Sequence, residues 1–236
     1  MNYFTHGLAY VAEPWLLAGT ALPDWLAAWE RPARLRRNDL QRWQNDAAPH
    51  EQLLATGALK HLQDDQWFHS QPAFYAVCGQ LTLEYRKQLG DHPALRCSLA
   101  PHIALEMLLD ARLAMLYPER LDQYYDSLRR VDGDQLLSCV SRWTQRTLTA
   151  LPHFWQYFVT SQYIRDYAED AKVLNRLNQV LTRVPLSPLP PQALGWIQIA
   201  RKIVYSHLER LLPAEHYTWP QPPPGNQQPA QALAPL

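Results

Sequence analysis

The 236-residue chain is poor in glycine, in cysteine and in charge of either sign. Its 8 glycines form neither a G-x-G-x-x-G turn nor a Walker loop. Phosphate cradles of the Rossmann and P-loop kinds are thereby excluded. The 3 cysteines, Cys78, Cys97 and Cys139, lie far apart, and no C-x-x-C occurs. That speaks against a zinc ribbon, a thioredoxin-like site or a disulfide scaffold, and predicts a reducing, cytoplasmic setting. The 22 basic and 22 acidic residues cancel, so no nucleic-acid partner is expected. The uncharged run Pro14 to Pro23 is too short to span a bilayer, so no membrane is expected either.

What is present is apolar and aromatic. Hydrophobic residues make up 47% of the chain, with 9 Trp and 12 Tyr, enough for a sizeable core. Apolar spacing follows the helical period throughout, without convincing two-residue alternation, and predicts a single-domain all-α bundle over residues 1–212. Helices are expected from Pro14 through Trp29, Glu51 to Trp67, Ala73 to Leu89, Leu99 to Tyr117 after a Ser98 cap, and Glu119 to Arg130. Three more should follow, Gln135 to Leu151, His153 to Val184 and Gln192 to Leu212. Pro185, Pro188, Pro190 and Pro191 read as a stiff linker. The last 24 residues, from Pro213, hold 7 of the 20 prolines and read as a disordered tail.

Two stretches carry chemistry. His61, Asp65 and His69 form one i, i+4, i+8 series, and His102, Glu106 and Asp110 form another. On a helix such residues share a face, with steps of about 6 Å. These side chains are metal ligands or acid/base groups. From Ile103 to Leu116 the only charges are Glu106, Asp110 and Arg112. A helix so apolar is buried, and a buried carboxylate requires a partner or a cation. His6 follows anchoring aromatics, and Asp24 precedes Trp25. Arg31, Arg34, Arg36 and Arg37 form a basic run suited to a phosphate or an acidic partner.

At these residues the chain resembles the acyl carrier protein phosphodiesterase family, a distant branch of the HD-domain metal phosphohydrolases. The likeness rests on Met1-Asn2-Tyr3-Phe4-Thr5-His6, on Gly19 through Asp24, and on Gly57, His61, Asp65, Trp67 and Pro72. It continues more weakly at Glu106 and Asp110, at Thr160 to Tyr167 and at Val173 to Arg183. The chain departs from the family pattern at Phe68, His69, Gln71 and Ala111, and His102 is additional. The resemblance implies an HD-domain-like bundle that holds a divalent ion, Mn²⁺ first and Fe²⁺, Zn²⁺ or Mg²⁺ otherwise, and hydrolyses a phosphodiester. On that reading His6, His61, Asp65 and Asp110 are metal ligands, His69 and His102 replace lost groups, His69 as a further ligand, and Asp24, His102 and Glu106 are the catalytic groups. Arg34, Arg36 and Arg37 would then bind the substrate phosphate or an acyl carrier protein. The alternative is a helical interaction protein that kept the fold without catalysis.

Overall fold

The computed structural model describes residues 1–30 and 33–220, and all regular structure among them is helical. The helices are α1 (Tyr3–Gly7), α2 (Pro14–Trp29), α3 (Arg37–Asp46), α4 (Pro49–Phe68), α5 (Pro72–Leu89) and α6 (Leu99–Leu116). They are followed by α7 (Pro118–Arg129), α8 (Gly133–Thr144), α9 (Leu151–Ser161), α10 (Asp170–Arg183), α11 (Ala193–Ser206) and α12 (Leu208–Leu211). Proline occupies the first turn of α2, α4, α5, α7 and α9, where its missing N–H removes no helical bond. One apolar core runs through all of them, with Trp25, Trp196, Tyr85, Tyr124, Tyr125 and Phe4 among its fully buried side chains. The expected single-domain all-α class is therefore the one observed.

Two glycines set the contact that matters most. A Cβ built on Gly19 of α2 would lie 2.2 Å from the carbonyl oxygen of Leu54. One on Gly57 of α4 would lie 2.1 Å from the carbonyl oxygen of Leu16. Only hydrogen fits at either position, so α2 and α4 approach backbone to backbone. This brings Thr20 and Asp24 of α2 beside His61 and Asp65 of α4.

Several expected boundaries move. Helices α1 and α3 are additional to those expected, and α3 takes up Arg37 from the basic run. The continuous helix Gln135 to Leu151 stops at Thr144, because Gln145 turns left-handed at φ 52°. The long helix His153 to Val184 is α9, a 3₁₀ segment Tyr163–Ala168 and α10, with Gln162 at φ 50° between the first two. Ser98 is also left-handed and makes no side-chain cap. The domain extends beyond Leu212, since the Tyr217 hydroxyl donates to the carbonyl of Thr5 at 2.8 Å. Trp219 Nε1 likewise donates to the carbonyl of Leu212 at 3.1 Å. The rest of the proposed tail, residues 221–236, and Arg31 lie outside the described residues.

Candidate metal centre

Helix α4 carries His61 and Asp65 on one face, and α1 delivers His6 to them. His61 Nδ1 donates to the carbonyl of Thr20 at 2.8 Å. That bond fixes the ring's orientation and turns Nε2 toward Asp65 Oδ2 at 3.4 Å and Asp24 Oδ1 at 3.6 Å. A backbone carbonyl on the far ring nitrogen is the arrangement that orients a metal-ligating histidine. The His6 ring stacks on His61, with centroids 4.0 Å apart. His6 Nε2 lies 3.1 Å from Asp65 Oδ1, while its buried Nδ1 has no hydrogen-bond partner. His6 and His61 are buried, and Asp65 is partly open.

A second group adjoins the first. His69, at the C-terminal end of α4, and His102, on α6, both bring Nε2 to Glu106 Oε1, at 3.0 and 2.9 Å. The Met1 ammonium closes the gap between the groups, 2.8 Å from Asp65 Oδ1 and 2.9 Å from Glu106 Oε1. Glu106 Oε1 thus meets three nitrogens, although a carboxylate oxygen offers only two lone pairs. In each group the potential ligand atoms lie within 4.8 Å of one another.

The electrostatics favour cations. Burial opposes ionisation of Asp65, but hydrogen bonds from His6 and His61 and the ammonium hold its carboxyl far below the usual range. Burial likewise opposes ionisation of Glu106, and the ammonium, His102 and His69 outweigh it. The ammonium in turn is disfavoured by burial, yet Glu106 and Asp65 raise it to about 10. Both carboxylates hold their charge because the ammonium and the imidazoles surround them with hydrogen-bond donors.

Asp110 does not join either group. Asp110 is fully buried, but its oxygens turn away from the histidines. Oδ1 accepts from the Thr5 amide at 2.7 Å and the Thr5 hydroxyl at 2.6 Å, and Oδ2 accepts from the Phe4 amide at 3.0 Å. It holds the first turn of α1 in place, so backbone donors supply what a cation was expected to supply. Burial pushes it up to about 7 against the pull of those donors. His102 and Glu106, expected as catalytic groups, stand with His69 in a group whose atoms could also hold a metal ion. Met1 was missed, because a backbone amine has no side-chain signature.

Two cavities open on this centre and share Asp24. One of about 520 Å³ is lined by Asp24, Arg34, His61 and Asp65. The other, about 210 Å³, runs past Asn2, Asp24 and Glu106 toward Tyr163 and Tyr167. Of the three arginines expected to bind substrate, Arg34 faces the first cavity, while Arg37 donates to Gln66 Oε1 at 3.2 Å. Arg36 lines a separate cavity together with Arg34. No helix among the described residues is long and apolar enough to cross a membrane. No protein family, no curated protein and no solved structure matches the chain.

Proposed function

We propose that this chain is a divalent-metal-dependent phosphodiester hydrolase. The observation that carries the reading is the convergence of His6 and His61 on Asp65 and of His69 and His102 on Glu106. His6, His61 and Asp65 would hold one ion, and His69, His102 and Glu106 a second. The donor set of imidazole and carboxylate suits Mn²⁺, Fe²⁺ or Zn²⁺. A divalent cation there supplies Lewis acidity toward a phosphoryl oxygen.

The chain's own groups would do the rest. Asp24 stands on the wall common to both cavities and is the candidate to hand a proton to a leaving oxygen or take one from water. Arg34, on the larger cavity, can offer a paired hydrogen bond to a phosphate. The motif resemblance supports an HD-domain-like relationship and admits an acyl carrier protein as the bearer of the phosphodiester. The free thiols of Cys78 and Cys139 support a cytoplasmic location.

The test is turnover of bis-p-nitrophenyl phosphate, nucleotide phosphodiesters and phosphopantetheinylated acyl carrier protein with added Mn²⁺. Activity on at least one, abolished in Asp65→Asn and Glu106→Gln, is the expected result. Metal binding without turnover of any would reject the hydrolase in favour of a metal-binding interaction protein.

A further inference from the structure

A cavity of about 1150 Å³ lies outside the candidate metal centre and is ringed by Arg34, Arg36, Arg42, Arg142 and Arg146. Its construction explains how arginines from distant parts of the chain come together. Trp43 of α3 and Trp143 of α8 stack face to face, with centroids 4.5 Å apart and planes within 5°. Each indole is preceded in sequence by an arginine, Arg42 and Arg142, so one aromatic contact sets two guanidinium groups around one cavity. Arg34 and Arg36 enter from the segment before α3, and Arg146 from the turn after α8.

The charge balance leaves this ring unsatisfied. Arg142 is paired, its guanidinium 2.7 Å from Glu51 Oε1 and 3.6 Å from Cys139 Sγ. That guanidinium also occupies the polar group of His50, Glu51 and Cys139 with a positive charge, which removes the need for a metal there. Arg34, Arg36, Arg42 and Arg146 meet no carboxylate among the described residues. Asp39 is the other acidic side chain on the wall. The N-terminus of the 20-residue α4 opens here through Ala47 and Ala48, without a side-chain cap. Uncapped amides and the helix dipole add to the attraction for an anion.

We propose that this cavity is a binding site for a compact polyphosphate, a small molecule carrying two or more adjacent phosphoryl groups. A single phosphate satisfies one or two guanidinium forks, whereas four free forks around one concave space match a chain of phosphates. The concavity distinguishes it from the extended basic stripe that a nucleic-acid backbone requires. Arg34 and Leu35 line both this cavity and the one at Asp24, so the anion sits beside the metal centre without using its ligands.

The test is calorimetric titration of pyrophosphate and tripolyphosphate into the full-length protein at low salt, with EDTA present. EDTA and the variant Asp65→Asn keep the result independent of the hydrolase reading, because binding should survive both. The double variant Arg42→Gln/Arg146→Gln should weaken binding about tenfold or more per arginine with an unchanged melting temperature. No binding of either anion to the wild type would overturn the proposal, as would equal affinity in a folded double variant. Tight binding of an RNA oligomer or polyglutamate that pyrophosphate does not displace would overturn it too, in favour of a macromolecular partner.

Discussion

Asp65 and Glu106, on α4 and α6, each give one oxygen to the same cation, the Met1 ammonium, at 2.8 and 2.9 Å. The pairing has a pH signature. Burial opposes the ammonium, but the two carboxylates raise it from 8.0 to about 10. A group whose folded pKa is raised adds stability that is complete below its unfolded pKa and disappears as pH rises through the folded one. For a chain that starts at Met1, metal-free protein should lose roughly 2 to 3 kcal/mol between about pH 8 and 10. Urea unfolding across that range measures it. Acetylation of the amine should remove the slope, and an identical slope in acetylated protein would assign it elsewhere.

Asp110 should behave as a structural carboxylate. In Asp110→Asn one oxygen becomes an amide NH₂ that faces an N–H of Phe4 or Thr5, leaving a buried donor unmet. A loss of roughly 1–3 kcal/mol at about pH 8 is expected, with metal content unchanged. Metal loss without a loss of stability would return Asp110 to the ligand set.

The segment after Leu212 should contribute to stability. Tyr217→Phe removes the hydrogen bond to Thr5 and should cost about 1 kcal/mol. A chain ending at Leu212 should lose more, since Trp219 and its packing beside Tyr217 go as well. Thermal melts of the two variants decide this. A truncated chain that melts with the full-length protein would show the contact to be idle.

Gln145 is the clearest site for stabilisation. It holds φ 52° on the surface, where an L side chain is strained and glycine is not. Gln145→Gly should gain up to about 1 kcal/mol. Chemical denaturation that showed a loss would mean the side chain contributes a contact that outweighs the strain.

The legible part of the site was local. His61 with Asp65, and His102 with Glu106, stand four residues apart, and helical geometry alone puts each pair on one face. The third members were not legible in the same way. His69 continues the α4 series by number, but it caps the helix and belongs with Glu106. Asp110 continues the α6 series, yet faces a short helix that no periodicity announces. Core helices such as Pro72–Leu89 end at glycine or proline signals and were readable. The breaks at Gln145 and Gln162 were not, because glutamine in a left-handed turn leaves no mark in the sequence. The arginine cavity was half visible: Arg34 and Arg36 stand in a run, whereas Arg142 and Arg146 arrive through the Trp43–Trp143 stack.

Direct metal titration tests whether the two His/His/carboxylate groups hold divalent cations. Chelator-stripped protein should bind Mn²⁺ at roughly two equivalents per chain and melt at a higher temperature when loaded. Asp65→Asn and Glu106→Gln should each lose one class of site while remaining folded. Wild-type protein that takes up no Mn²⁺, Fe²⁺ or Zn²⁺ and gains no thermal stability from any of them would show that neither group is a metal site.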